Sequence, residues 1–121
     1  MAVSNYHEPY FNIDRENNRI DLSGRSTIEY AYNHYMGIIE KVKEYIKEKP
    51  EKVDIHVKLD YFNTTSSKCI LDLFKTFREI SMLKHNITIY WYYEEDDEDI
   101  KEAGMDYSEI LTYIKFEFVE F

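Results

Sequence analysis

Between positions 28 and 93 the spacing of apolar residues changes period three times, which restricts the chain to folds that interleave helices with strands. Ile28, Tyr32, Tyr35, Ile39, Val42 and Ile46 recur at three- and four-residue intervals. Glu40, Lys41, Lys43, Glu44, Lys47 and Glu48 fill the remaining positions, the pattern of an amphipathic helix. Ser26 or Thr27 can cap that helix, and Pro50 closes it after a lysine-rich last turn. Val53, Ile55, Val57 and Leu59 then alternate strictly with polar residues, as in a strand buried on one side. The helical period returns with Ile70, Leu71, Leu73, Phe74, Phe77, Ile80 and Leu83, and Asn86 is expected to end this second helix. Residues 87–93 (ITIYWYY) are the most apolar strand and are expected to lie centrally in the sheet.

The flanks extend the same grammar. Residues 9–14 (PYFNID) and 19–22 (RIDL) read as two short strands joined by the polar turn Glu16-Asn17-Asn18, with Ser23-Gly24 breaking the second. After the acidic run at positions 94–99 a short helix is expected near Ile100, and Phe116, Phe118 and Phe121 mark a last strand. The order β-β-α-β-α-β-α-β predicts an α/β fold, one mixed sheet with two main helices and a short third. Strand–helix–strand units of this length favour right-handed crossovers and at least partly parallel pairing.

With 121 residues there is room for one core, so a single domain over 1–121 is expected. Fifteen basic against 24 acidic residues give a net charge of −9, which repels phosphate backbones and anionic lipid; neither nucleic-acid nor membrane binding is expected. Cys69 is the single cysteine and cannot form an internal disulfide, which suits a reducing compartment. No basic region followed by an apolar stretch opens the sequence and no apolar run is long enough for a membrane helix, so a cytoplasmic location is expected. The 12 tyrosines suit a thin core bordering an interface, each ring buried with its hydroxyl at the boundary.

The most informative segment is residues 60–68 (DYFNTTSSK), which joins the end of a buried strand to an amphipathic helix. In open α/β sheets, sites collect at that end of the strands. Thr64, Thr65, Ser66 and Ser67 cluster at the expected N-cap. One hydroxyl, or Asn63 alone, suffices to cap a helix, so four in a row exceed the need, although capping with polar filler explains most such clusters. The functional reading uses the same physics. A helix N-terminus offers free N–H groups and partial positive charge, a favourable place for a phosphate.

Residues 61–74 (YFNTTSSKCILDLF) resemble the SiaC family of bacterial regulatory phosphoproteins, whose members carry a Y-[FL]-N-T-[ST]-S-S-K-like segment. Residues 91–110 (WYYEEDDEDIKEAGMDYSEI) are similar to the same family's aromatic strand, acidic run and Ala-Gly turn. The resemblance implies a fold like that of the STAS-domain anti-sigma-factor antagonists, with a phosphorylated hydroxyl at the start of a helix. It implies a partner kinase that modifies a threonine of the motif, a PP2C-like phosphatase that reverses it, and an effector such as a diguanylate cyclase bound by the unmodified protein. By motif position Thr64 is the phosphoacceptor, with Thr65 and Ser66 as alternatives, and Asn63, Thr64, Thr65, Ser66, Ser67 and Lys68 form the partner-binding segment.

Other features weigh less. Glu94, Glu95, Asp96, Asp97, Glu98 and Asp99 could attract Mg²⁺ or Ca²⁺, but they lack the glycine and ligand spacing of a calcium loop. They can instead favour the next helix start or meet a basic partner. His7, His34, His56 and His85 have no zinc-like spacing, and His56 falls on the face opposite Val53, Ile55 and Val57. Cys69 reads as a buried, inert thiol. There is no G-x-S-x-G elbow, and Gly24, Gly37 and Gly104 form no phosphate cradle. The chain is therefore expected to be no enzyme and to need no cofactor or metal. The competing readings are a constitutive assembly domain and a small metal-dependent module using the acidic run.

Overall fold

The computed structural model describes residues 6–82 and 86–121; Leu83 and His85 lie outside the described residues. The expected order is observed: β1 (Tyr10–Asp14), β2 (Arg19–Ser26), α1 (Ala31–Ile46), β3 (Lys52–Phe62), α2 (Thr64–Ser81), β4 (Asn86–Tyr93), α3 (Glu98–Ile110) and β5 (Lys115–Glu120). The strands form one sheet in the order β1-β2-β3-β4-β5. The β1–β2 hairpin is antiparallel, and β2 through β5 pair in parallel.

Because each parallel strand is added on the same side of the last, right-handed crossovers place all three helices on one face of the sheet. Burial follows that rule. Ile20, Leu22, Val53, Ile55, Val57, Ile87, Ile89 and Trp91 are buried, whereas Asp54, His56, Tyr90 and Tyr92 on the opposite face stay half-exposed. The strand at 87–93 therefore sits between β3 and β5 but is covered on one side. On its open side His56 stacks on Tyr90 at 4.6 Å and its Nδ1 lies 2.8 Å from the Tyr92 hydroxyl.

Several boundaries differ from the sequence reading. Ser23-Gly24 does not end β2. Gly24 takes φ +90°, and pairing steps from Gly24–Leu59 to Arg25–Tyr61, so β2 continues past a bulge in β3 at Asp60. Neither Ser26 nor Thr27 caps α1: Ser26 ends β2 with its side chain in the core, and the Thr27 hydroxyl accepts the His7 N–H at 3.0 Å. Tyr30 takes the N-cap position without a side-chain bond. Of the expected stripe Ile28, Tyr35, Ile39 and Val42 are buried and Ile46 is partly so; Ala31, Ile38 and Tyr45 join the buried side of α1, and Tyr32 is 63% exposed. Asn86 opens β4 rather than ending α2, which finishes at Ser81.

The region after the acidic run departs most. Ala103-Gly104 is no turn but the middle of a 13-residue helix, α3. The Trp91 indole fills the space beside Gly104 and donates its Nε1–H to the Ile100 carbonyl at 2.9 Å. Around it Phe62, Phe74 and Tyr107 meet the indole edge-on, with ring centroids 5.6–6.3 Å away. This aromatic group fixes α3 against α2 and against the ends of β3 and β4.

Candidate functional site

The hydroxyl-rich segment is not a loop. β3 runs on to Phe62 and α2 starts at Thr64, leaving Asn63 as the whole connection between them. Asn63 has extended backbone (φ −82°, ψ 176°) and is the N-cap. Its Oδ1 accepts the Ser66 N–H at 2.9 Å, and its carbonyl accepts the Ser67 N–H at 2.9 Å. Its own N–H donates to the Ser26 carbonyl at 3.2 Å, tying the cap to the end of β2. Asn63 alone thus supplies the side-chain cap, and none of the four hydroxyls is needed for it.

They divide into two pairs. Thr64 and Thr65 are exposed, and neither hydroxyl bonds to another described residue. Ser66 is 0% exposed, with its Oγ 2.8 Å from the Ser26 Oγ, which in turn lies 2.7 Å from the Tyr35 hydroxyl. Half-buried Ser67 meets Tyr107 twice: the tyrosine hydroxyl donates to the Ser67 carbonyl at 2.8 Å and lies 3.1 Å from its Oγ. Burial pushes the Tyr35 phenol up to about 12, against a smaller opposing effect of Ser26, and it raises Tyr107 in the same way. Both phenols are neutral near pH 7 and available as donors.

Lys68 is exposed one turn beyond Thr64, on the same side of α2. The segment contains no acidic residue in the first turn of the helix. Cys69 is buried and free, and burial followed by the Asp72 carboxylate raises its thiol above the ordinary range, which lowers its reactivity.

The acidic run lies close by, across a groove of about 330 Å³ lined by Asp60, Tyr61, Phe62, Asp97, Asp99, Ile100 and Ala103. Asp97 is the N-cap of α3, accepting the Ile100 N–H at 3.0 Å, and Glu98 and Asp99 occupy the first turn, where the helix dipole favours them. Among the described residues no three His, Cys, Asp or Glu side chains converge as a metal-holding group. Among the described residues no helix is long and apolar enough to cross a membrane.

Sequence reasoning found the turn but missed Ser26, Tyr35 and Tyr107, which hold it. Ser26 and Tyr107 each stand 40 positions from the serine they contact. The available signal was strand parity, since Ile20, Leu22 and Ser26 share the buried face of β2.

Against known proteins, the model of the SiaC family of regulatory phosphoproteins matches residues 3–121. The chain belongs to the SiaC family. An uncharacterized protein of Pseudomonas aeruginosa (strain UCBPP-PA14) is 22% identical over 100 residues, covering 83% of this chain and 79% of that one. A chain in the crystal structure of the diguanylate cyclase SiaD with its activator SiaC, from Pseudomonas aeruginosa, superposes with a TM-score of 0.87 at 19% identity, covering 98% of this chain and 96% of that one. Apo-SiaC from Pseudomonas aeruginosa gives a TM-score of 0.83 at 19% identity, covering 98% and 95%. At such identities the likeness shows the fold: a mixed sheet of five strands with three helices, as in this SiaC-family chain.

Proposed function

We propose that this chain is a phosphorylation-controlled binding switch that works through protein partners and not by catalysis. A partner kinase phosphorylates Thr64, a PP2C-like phosphatase removes the phosphate, and the state of Thr64 governs binding to an effector. The effector class suggested by the solved SiaD–SiaC complex is a diguanylate cyclase.

The observation that carries this reading is the division of labour in the first turn of α2. Because Asn63 caps the helix, the Thr64 hydroxyl is exposed and has no structural duty. Thr65 is equally exposed and remains the alternative acceptor. Ser66 is a poor one, since a phosphate there would have to displace buried contacts to Ser26.

A phosphate on Thr64 brings roughly −1.5 to −2 charges to a helix N-terminus, where free N–H groups and the dipole favour it. Lys68, one turn on, is placed to pair with it. The same charge, set inside an interface made by residues 63–68, opposes a partner that docks on the unmodified turn. A penalty of several kcal/mol is enough to release a partner held at micromolar strength, about 8 kcal/mol.

Phosphosite mass spectrometry on the protein from its native cell tests this directly. Phosphate on Thr64, lost in Thr64→Ala together with the modification-dependent change in effector binding, is the expected result. An unmodified 61–74 peptide under all growth conditions would leave a constitutive adaptor as the better reading.

A further inference from the structure

The exposed hydroxyl of Thr64 sits on a turn whose inner side is held by buried hydroxyls from two directions. On one side Ser26 Oγ donates to Ser66 Oγ at 2.8 Å. A serine has one hydroxyl proton, so the contact between Ser26 and Tyr35 at 2.7 Å must be donated by the tyrosine. The chain of donors therefore runs Tyr35 to Ser26 to Ser66, from α1 through the end of β2 into α2, and all three residues are buried. On the other side Tyr107 gives its proton to the Ser67 carbonyl, so the Ser67 hydroxyl donates back to Tyr107, joining α2 to α3.

We infer that Ser26, Tyr35 and Tyr107 are positioning residues for the Thr64 turn, holding it in one geometry from α1 and from α3. The inference rests on the reading of Thr64 as the modified residue only for its biological meaning; the clamps themselves are independent of it. Each clamp is all-or-none in character. Moving Ser66 outward leaves the buried Ser26 hydroxyl without an acceptor for its proton, and buried polar groups left unpaired are strongly disfavoured. A partner or a phosphate that shifts the turn must therefore break a clamp, and the change reaches α1 through Ser26, which Tyr35 holds, or α3 through Tyr107, which loses its acceptor on Ser67.

The test is amide hydrogen exchange by NMR on the full chain, comparing wild type with Tyr35→Phe, Tyr107→Phe, Ser66→Ala and the Tyr35→Phe/Ser66→Ala double variant. Tyr→Phe keeps the packed ring and removes only the hydroxyl. Exchange at Ser66, Ser67 and Lys68 is expected to quicken about 2- to 12-fold in Tyr35→Phe and in Tyr107→Phe, the range that loss of one such contact implies. The Ile89 amide in the buried strand β4 reports global opening and should quicken only by the loss of overall stability that urea unfolding gives for the same variant. The double variant should be no faster than Ser66→Ala alone, because both changes cut the same chain. Unchanged exchange in the turn or a strictly additive double variant would each overturn the inference. Absence of phosphate on Thr64 in cells would sink the proposed switch and leave this result standing.

Discussion

The Trp91 indole occupies the space that a side chain at position 104 would need: a Cβ built on Gly104 would lie 2.5 Å from both Cδ1 and Nε1 of the ring. Gly104 is buried in the middle of α3, where glycine is ordinarily disfavoured by about 1 kcal/mol relative to alanine. Gly104→Ala should nevertheless destabilise the protein. The indole is wedged among Phe62, Phe74 and Tyr107 and bonded to the Ile100 carbonyl, so it has no free direction of retreat. Overpacking of this kind costs about 1–3 kcal/mol, which outweighs the propensity gain. Urea unfolding should show a lower midpoint with an unchanged slope. A midpoint at or above wild type would mean that α3 can slide off Trp91.

This contact also shows what the sequence could and could not disclose. The strict alternation of Val53, Ile55, Val57 and Leu59 marks one strand face without knowledge of any partner, and the structure buries that face. The role of Gly104 depends on a ring 13 positions earlier, so the dipeptide Ala103-Gly104 read as a turn. The start of α1 was misplaced for a related reason. Ser26 has the chemistry of a cap, but strand parity carries it into the core, where its hydroxyl serves Ser66 and not a helix end. At the candidate site the motif located the turn, while the split into exposed and buried hydroxyls required the third dimension.

Asn63 and Thr64 are neighbours with opposite expected sensitivities. Asn63→Ala removes the side-chain acceptor of the Ser66 N–H and should lower stability by about 1 kcal/mol, with a range of roughly 0.5–2. Thr64→Ala removes an exposed hydroxyl without a partner among the described residues and should leave stability within about 0.5 kcal/mol of wild type. Thermal unfolding of the two variants decides the matter. A large loss in Thr64→Ala would show that its hydroxyl has structural work after all.

On the open face of the sheet, His56 should make folding pH-dependent on the acid side. Burial lowers its pKa below the ordinary 6.5, and Arg19 adds to the effect; Asp21 and Asp54 oppose it. The folded state thus favours the neutral imidazole, and the unfolded chain takes up a proton first as pH falls. The associated stability is present above about 6.5 and is lost progressively as pH drops through the lower folded-state value. Denaturant unfolding between pH 7.5 and 5 should show wild type losing stability relative to His56→Gln. Parallel pH curves for the two proteins would remove His56 as the cause.

Tyr35 should control the alkaline side, with a reversal of sign. Its hydroxyl donates to Ser26, so Tyr35→Phe should cost about 0.5–1.5 kcal/mol near pH 8. The same burial holds the phenol protonated up to about 12 in the folded protein, whereas its ordinary value is 10. From pH 10 upward the unfolded chain releases this proton and the folded chain retains it, so stability falls with rising pH, by on the order of 3 kcal/mol across the two units. Phenylalanine has no such proton. Wild type should therefore be the more stable protein at pH 8 and the less stable one by about pH 12. Tyr107 and Tyr45, also raised by burial, remain in both proteins and cancel from the comparison. Circular dichroism of urea unfolding from pH 8 to 12 would show the two curves crossing. A constant gap between them would mean that Tyr35 ionises in the folded state as readily as in the unfolded chain, and that the hydroxyl chain to Ser66 is open to solvent.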